Sequence, residues 1–385
     1  MNCHAFSRRD TASPREFKRK CPLLPFLLCL ILAFPFPARA QKPSRRGLFV
    51  SVIQEPAVLS GRNLIDTLIA DAARLGIDTL FVQIYRSGKA WFPSGIADAR
   101  PYRDAVKNVG EDPFSLLIKK AGQHGIRVHA WLNMMSLGAN PDAPLLTKYG
   151  PGILTRNGEE KNSIEDYRID DQYFLEPGDP RVRRELLGML EEVLRAYPDL
   201  DGVLFDYLRY PDVKPAYGHT EINESRFRET TGQTDTGETN EAWRKWKRDQ
   251  VTECLVQLAA RARALMPRIE VAATGCAPYA RAYAEAFQDW PAWMENGITD
   301  FVIYMNYSSD PGEYTRFVAE AKPMVRDLSK WPIGVPAYKL TGSPETFARL
   351  YETCAATGES ACVVFHYGSL VENPALEGPL LADTR

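Results

Sequence analysis

The sequence predicts an α/β protein whose single domain is a (β/α)8 TIM barrel with long loops after its third and fourth strands. Three observations support this fold class. Eight short, nearly continuous apolar runs recur along the chain, as expected of parallel strands buried on both faces. Segments with helical spacing of apolar residues lie between them. No run is followed by G-x-G-x-x-G or G-x-x-x-x-G-K-[ST], the motifs that would favour the alternative, a doubly wound open sheet.

Each of the apolar runs is short enough to form one barrel strand. In chain order they lie at 47–53, 78–84, 127–132, 201–206, 269–273, 300–305, 332–337 and 361–366. Because these strands alternate with helices across residues 41–385, we expect one closed barrel and not two domains.

The helices between the strands carry start and stop signals. An aspartate or serine just before a proline predicts a helix start, because the side-chain oxygen caps a free N–H and proline at the first turn loses no bond. Four starts are predicted in this way, at Asp112-Pro113, Asp179-Pro180, Asp289-Trp290-Pro291 and Ser343-Pro344. Three glycines just before strands mark predicted helix ends, at Gly125, Gly297 and Gly358.

Two connections, 133–179 after the third strand and 207–240 after the fourth, are longer than most loops of a compact domain. Such long loops are usually functional. In a (β/α)8 barrel they lie at the carboxyl ends of the strands, where these proteins keep their active sites. The sequence therefore directs the search for a site to this face.

The first 40 residues have the pattern of a secretory signal peptide. A basic region precedes an apolar run, and Ala38-Arg39-Ala40 forms an A-x-A cleavage site. The apolar run contains prolines and is short for a membrane span, so an uncleaved anchor is the weaker alternative. We expect an exported protein, periplasmic or secreted, with no membrane contact after cleavage.

The composition beyond residue 40 argues against several partners and cofactors. Removing the seven basic and two acidic residues of the first forty from the 47 and 49 of the whole chain leaves a net charge of −7. No Lys/Arg run remains, so nucleic acid is not an expected partner. Neither the cysteine spacing nor the histidines form a metal-binding motif, which predicts no cofactor and makes a metal-dependent deacetylase improbable. Cys354 and Cys362 are either disulfide-bonded or buried thiols.

The predicted strand ends are rich in aromatic rings, arginine and asparagine. Rings stack on the apolar faces of sugars, while arginine, asparagine and tyrosine bond hydroxyl groups, so the set favours a glycan cleft. The predicted substrate-binding residues are Arg86, Trp91, Trp131, Asn133, Arg209, Tyr210, Asn306, Tyr307, Tyr338, His366 and Tyr367. Arg86 is equally well explained by an ion pair on the barrel rim. Tryptophans such as Trp91 and Trp131 are more often core residues than sugar platforms.

The fourth strand, in DGVLFDYLRYP (201–211), ends on Asp206. A carboxylate at the end of a buried strand is costly unless it is paired or functional, so we predict that Asp206 is catalytic. An ion pair with Arg209 is the alternative. Cleavage of a glycosidic bond by the usual scheme needs a second carboxyl group. Glu176 and Glu55 are the candidates, although each is more readily explained as a loop or capping residue.

Several stretches together resemble the glycosyl hydrolase-like family 10, also called DUF187. They are FVQIYRSGKAWFPS (81–94), VHAWLN (128–133), PGDPRVR (177–183), DGVLFDYLRYP (201–211), WRKWKRDQV (243–251), QDWPAWMENGITDFVIYMNY (288–307) and VVFHYGSL (363–370). The resemblance implies a (β/α)8 barrel, an extracytoplasmic location and action on glycans, and a relative in this family cleaves peptidoglycan glycan strands. The family's strand-four aspartate falls on Asp206.

From these observations we predict an exported glycoside hydrolase that cleaves a polysaccharide or a peptidoglycan glycan strand by carboxylate acid/base chemistry. The alternative is a non-catalytic glycan-binding protein on a degenerate barrel. His129, inside the third strand, and Trp243 and Trp246, at helical spacing, are predicted core residues. No pattern points to a particular oligomeric state.

Overall fold

The computed structural model describes residues 46–214 and 216–382, which belong to one compact unit, Pro43–Arg385. Within it eight parallel strands close into a barrel, each bonded to the next and the eighth to the first. They are β1 Arg46–Val50, β2 Thr79–Arg86, β3 Arg127–Asn133, β4 Gly202–Asp206, β5 Glu270–Cys276, β6 Phe301–Met305, β7 Ile333–Val335 and β8 Cys362–Val364. The predicted (β/α)8 fold is confirmed. The predicted signal peptide, 1–40, lies outside the described residues.

Helices cover the outside of the barrel between consecutive strands. Their bounds are α1 Arg62–Arg74, α2 Arg100–Val109, α3 Pro113–Gln123, α4 Pro144–Tyr149, α5 Pro180–Ala196, α6 Glu221–Thr231, α7 Glu241–Leu265, α8 Tyr279–Arg281, α9 Trp290–Glu295, α10 Pro311–Ala321, α11 Pro344–Ala355, α12 Tyr367–Glu372 and α13 Gly378–Ala382. Among the described residues no helix is both long and apolar enough to cross a membrane.

All four predicted helix starts are found, but only two of the four predicted cap residues accept a hydrogen bond from their helix. Asp112 accepts from two backbone N–H groups of α3, and Asp179 accepts from one of α5. Asp289 and Ser343 precede their helices without a side-chain cap bond, so the capping prediction is wrong at these two positions. Proline in the first turn is common to all four helices and is sufficient to start the last two.

Large side chains fill the barrel interior. Phe49, Phe81, Trp131 and Leu204, from the first four strands, are all at most 2% exposed. The rings of Phe49 and Trp131 lie 4.9 Å apart, edge to face. The large open cleft lies above this layer, toward the carboxyl ends of the strands.

A second layer, of polar side chains, lies directly above the first. Side chains two residues apart on a strand point to the same face. On the first five strands a polar residue stands two positions beyond the apolar interior residue, Ala272 being that residue on β5. We call this set the polar layer: Ser51, Gln83, Asn133, Asp206 and Thr274. Ser51 donates to Gln83 (2.9 Å), and Gln83 donates to Asn133 (3.0 Å). The polar layer forms the boundary between the packed core and the mouth of the barrel.

Both predicted long loops are present, and they are bonded to each other. The first contains a small antiparallel pair, Ser136–Gly138 with Tyr173–Phe174, and the second contains α6. Arg156, in the first loop, accepts backbone bonds from Gly218 and His219 of the second, and its Nε donates to the His219 carbonyl (2.9 Å). The two loops therefore form one wall beside the barrel mouth.

The predicted core residues are confirmed. His129 is fully buried, with Nε2 3.1 Å from the Glu270 carboxylate. Trp243 and Trp246 are buried against Phe227. Cys354 and Cys362 form a disulfide bond, which resolves the choice left open by the sequence.

Candidate active site

A cleft of about 630 Å³ opens at the carboxyl ends of the strands. All eight strands contribute a side chain to its lining, at the strand end or shortly after it. In strand order these are Ser51, Arg86, Trp131, Asp206, Cys276, Tyr307, Tyr338 and Phe365. A cleft that draws one residue from every strand is the position in which (β/α)8 barrels place their active sites.

Asp206 lies at the floor of this cleft, and three donors fix its carboxylate. Oδ1 accepts from the Tyr207 backbone N–H (2.7 Å) and from Thr274 Oγ1 (2.6 Å), while Oδ2 accepts from Trp131 Nε1 (2.9 Å). All three partners are neutral. An anionic carboxylate only accepts hydrogen bonds, and this arrangement offers it donors alone.

Within the described residues Asp206 forms no ion pair, and the expected alternative, a pair with Arg209, is wrong. The Arg209 guanidinium instead binds Asp212 at 2.7 Å. Asp212 also binds Arg281 at 3.0 Å, so two cations already hold that acid. Asp206 is thus a buried carboxylate, 4% exposed, without a charged partner. Because burying a carboxylate without an ion pair destabilises the fold, this observation favours a functional role.

Tyr207 turns the chain sharply at the end of β4. Its φ of 54° lies in the left-handed region, which a bulky residue rarely occupies. This turn brings the Tyr207 N–H back onto the Asp206 carboxylate, and the ring lines the cleft with Arg209 over its face at 4.9 Å. Burial and the neighbouring Asp206 charge raise the pKa of the phenol. Strain of this kind is typical of functional sites.

Tyr307 faces Asp206 from the β6 side of the cleft. Burial, followed by the Asp206 charge, raises the pKa of its phenol well above the usual range. The hydroxyl is buried and has no hydrogen-bond partner among the described residues. Its ring packs against Phe365 at 5.0 Å and against Tyr338 at 5.9 Å. The site therefore holds a neutral phenol beside the carboxylate.

The remaining lining gives the cleft a slight excess of positive charge. Four basic side chains, Arg86, Arg209, Arg281 and Lys339, line it with three acidic ones, Asp206, Asp212 and Glu313. In the described part of the chain Arg86 has no acid within ion-pair distance. The predicted alternative, an ion pair of Arg86 on the barrel rim, is therefore wrong. Lys339 donates to the Tyr307 carbonyl at 2.9 Å. Arg86 is left as a cation that faces the cleft.

Six of the residues predicted from the sequence line this cleft: Asp206, Arg86, Trp131, Arg209, Tyr307 and Tyr338. Glu55 and His366 lie in an adjoining hollow. The other six, Glu176, Trp91, Asn133, Tyr210, Asn306 and Tyr367, do not line it.

Glu176 and Tyr210, predicted as catalytic and substrate-binding, instead bond to each other in the wall formed by the two loops. Tyr210 OH donates to Glu176 Oε1 at 2.5 Å, and the Gly178 N–H donates to the same oxygen at 3.0 Å. Both side chains are fully buried, and burial raises the pKa of the Glu176 carboxyl. This geometry gives Glu176 a structural position and no access to the cleft.

The two strand-end asparagines also serve the scaffold. Asn133 accepts from Gln83 within the polar layer, and Asn306 Nδ2 donates to the Tyr314 carbonyl at 2.9 Å. Both are at most 2% exposed. They support the floor and rim from behind, so a substrate cannot reach them directly.

Trp91 and Tyr367 lie outside the barrel mouth. Trp91 packs partly buried against the main core, and Tyr367 OH donates to Asp71 on α1 at 2.8 Å. The structure also brings in residues that the sequence analysis did not select. Tyr207 follows Asp206 directly in the stretch that identified it, and Asp212 comes just after that stretch. Thr274 could have been found from its period-two position after Ala272.

Among residues 46–214 and 216–382 no group of three or more His, Cys, Asp or Glu side chains could hold a metal ion. The chemistry available in the cleft is that of carboxylates, phenols, an indole and cations. These groups can bind sugar hydroxyls and transfer protons.

A (β/α)8 barrel with a strand-four carboxylate in an open cleft of aromatic and polar side chains is an arrangement found in glycoside hydrolases. The model of the family described as "Glycosyl hydrolase-like 10" matches residues 45–344, and the chain belongs to that family.

Two curated relatives are similar over most of this chain. The glycosyl hydrolase DigH of Escherichia coli strain K12 is 24% identical over 296 residues, covering 70% of this chain and 64% of its own length. The glycosyl hydrolase YngK of Bacillus subtilis strain 168 is 23% identical over 339 residues, covering 80% and 61%. The chain thus spans less than two thirds of these relatives.

A solved structure has a similar fold. The α-galactosidase AgaA of Geobacillus stearothermophilus, determined in complex with 1-deoxygalactonojirimycin, superposes with a TM-score of 0.54 at 12% identity. The match covers 90% of this chain and 42% of the other. At that identity the likeness concerns the barrel alone.

Proposed function

We propose that this protein is an exported glycoside hydrolase that cleaves a polysaccharide or a peptidoglycan glycan strand, with Asp206 in the chemistry. The observation that carries the proposal is the carboxylate at the floor of the cleft, held by three neutral donors and without a counter-ion. A carboxylate surrounded by donors suits the base or nucleophile of the two-carboxyl scheme.

Two other acids, Asp212 and Glu313, share the cleft with Asp206, and either could supply the second carboxyl group. Asp212 is already engaged in ion pairs with two arginines, Arg209 and Arg281. Glu313 lines the cleft from the start of α10, accepts from Ser308 Oγ at 2.7 Å and has one arginine, Arg316, at 3.6 Å, compared with two for Asp212. We assign it as the candidate acid in place of Glu176 and Glu55.

Two features support export. Residues 1–40 carry the signal-peptide pattern, and Cys354 and Cys362 form a disulfide bond. Disulfides persist in oxidising compartments outside the cytosol. An extracytoplasmic site would give the protein access to cell-wall or environmental glycans.

The test is the release of reducing ends from peptidoglycan glycan strands and from a panel of neutral polysaccharides. We expect Asp206→Asn to lower turnover by at least about 100-fold, the weight of one acid/base or nucleophilic group. Glu176→Gln is the matched control, since it also replaces a buried carboxylate with an amide, at a residue that does not line the cleft. Unchanged turnover in Asp206→Asn would remove Asp206 from the mechanism.

A non-catalytic glycan-binding protein is the second candidate. It is favoured by the burial of Glu176 and by the position of Glu55 outside the cleft, which leave neither predicted partner facing Asp206. Glycan binding by the wild-type protein, with no reducing ends released from any substrate in the panel, would establish this function and overturn the hydrolase proposal.

A further inference from the structure

A second hollow, of about 600 Å³, adjoins the active-site cleft. It lies between the loops that follow β1 and β8, and it shares Gln54 and Tyr338 with the cleft. The two spaces are therefore neighbours along one surface, separated by those two side chains.

The floor of this second hollow depends on a close approach of the two loops. A Cβ at Gly368 would lie 2.4 Å from the Glu55 carbonyl oxygen and 3.2 Å from the His366 ring. Only a glycine allows the chain to pass there. The second hollow is thus a built feature of the loops after β1 and β8.

Two polar side chains in its lining each have one buried atom without a partner in the described part of the chain, although His366 Nε2 lies 3.5 Å from Ser369 Oγ. His366 is 7% exposed, and its Nδ1 has no hydrogen-bond partner in the described part of the chain. Gln54 Oε1 is likewise buried and without a partner there. Burial lowers the pKa of His366 to about 4, so the imidazole is neutral at ordinary pH. The lining offers uncharged hydrogen-bonding groups beside two acids, Glu55 and Glu372, and no lysine or arginine.

Apolar surface is concentrated around the same two spaces. Five large hydrophobic side chains of the described residues are exposed, and three of them line the cleft or the second hollow. Ile53 (57%) lines the cleft, Val371 (47%) lines the second hollow, and Tyr338 (39%) lines both. The Tyr338 ring stands between them, stacked near His366 at 6.3 Å. Exposed apolar side chains gathered in one concave surface mark a binding site.

We propose that the second hollow is a subsite for one uncharged sugar unit next to the cleft, with Tyr338 as the aromatic platform between the two. The proposal rests on the glycan-binding part of the proposed function. The acids and neutral groups of the second hollow disfavour an anionic sugar, whereas the cleft contains Arg86 and can accept one. The protein therefore binds a chain of sugars across Tyr338 and not a single sugar in the cleft.

The test is the chain-length dependence of binding, measured by calorimetry with oligomers of one to six units of N-acetylglucosamine, glucose and galactose. Val371→Trp obstructs the second hollow from its exposed rim without touching the cleft. We expect it to weaken binding of the longer oligomers of the preferred sugar by about tenfold, because one sugar unit loses its contact with the Tyr338 ring. The shortest bound oligomer should be unaffected. Val256→Trp is the matched control, because this valine on α7 is also exposed and lines neither space.

Equal affinity for short and long oligomers, or an equal loss for both in Val371→Trp, would overturn the subsite. Absence of binding to all the oligomers would overturn the subsite together with glycan binding. Length-dependent binding without release of reducing ends would leave the subsite in place and overturn only the hydrolase proposal, so the two failures are distinguishable.

Discussion

Replacing Asp206 with asparagine tests how its carboxylate is held, because an amide can satisfy only two of the three donors. An asparagine oxygen in the place of Oδ1 keeps the bonds from the Tyr207 N–H and from Thr274 Oγ1. The amide nitrogen then occupies the place of Oδ2 and meets the Trp131 Nε1–H, a donor, at 2.9 Å. A buried donor left without an acceptor costs about 1–3 kcal/mol of unfolding free energy.

The single substitution also removes a buried charge, which changes the free energy of unfolding in the opposite direction. A double-mutant cycle with Trp131→Phe separates the two effects, because phenylalanine has no N–H to leave unsatisfied. We expect Asp206→Asn to be less destabilising by about 1–3 kcal/mol in the Trp131→Phe background than in the wild type.

The assay is urea unfolding of the wild type, the two single variants and the double variant. Trp246→Phe is the matched control, because its Nε1–H donates to Asn223 at 2.9 Å and not to Asp206. The control should be additive with Asp206→Asn. Additivity within about 0.5 kcal/mol for the Trp131 cycle as well would refute the assigned hydrogen bond.

Three further predictions concern separate parts of the molecule. Glu176→Gln should stabilise the fold relative to the wild type by an amount that grows as pH rises from 4.5 toward neutrality. The raised pKa of the buried carboxyl means that the native state loses stability on ionisation, and thermal unfolding that shows a pH-independent difference would contradict this. Arg86→Gln should weaken binding of a carboxylated glycan on the order of tenfold and reduce its salt dependence, without affecting a neutral glycan; an equal loss on both would exclude charge recognition. Replacing both Cys354 and Cys362 with alanine should lower the free energy of unfolding by roughly 2–3 kcal/mol, and a melting temperature of the wild type that is insensitive to reductant would argue against the disulfide.

The strands and the position of Asp206 could be predicted from the sequence because both follow from local patterns. A strand buried on both faces is apolar along its whole length, and a carboxylate that ends such a run is conspicuous. Asn133 and Asn306 have the same local pattern, yet their amides are used by Gln83 and Tyr314. The sequence shows which residues stand at strand ends, but not whether a neighbouring strand or helix already supplies their partner.

Glu176 was expected in the cleft and lies outside it, for a related reason. Glu176 stands in a long loop that looked functional, but its side chain turns to a phenol 34 residues later, at Tyr210. Such a contact depends on how two loops pack, and no periodicity in either loop encodes it. Glu313, in contrast, lies in the first turn of α10, where an acid is ordinarily explained by favourable interaction with the helix dipole.

The bonds between the two long loops have a consequence for how this protein can change. Glu176 depends on Tyr210, and the Arg156 carbonyl depends on two N–H groups beyond residue 217. Exchanging the second loop alone for that of a homologue would leave a buried acid and a carbonyl of the first loop without their donors, and exchanging the first alone would leave those donors without acceptors. A chimera designed to alter substrate preference should therefore transplant 133–179 and 207–240 as one cassette, while the eight barrel strands can remain untouched.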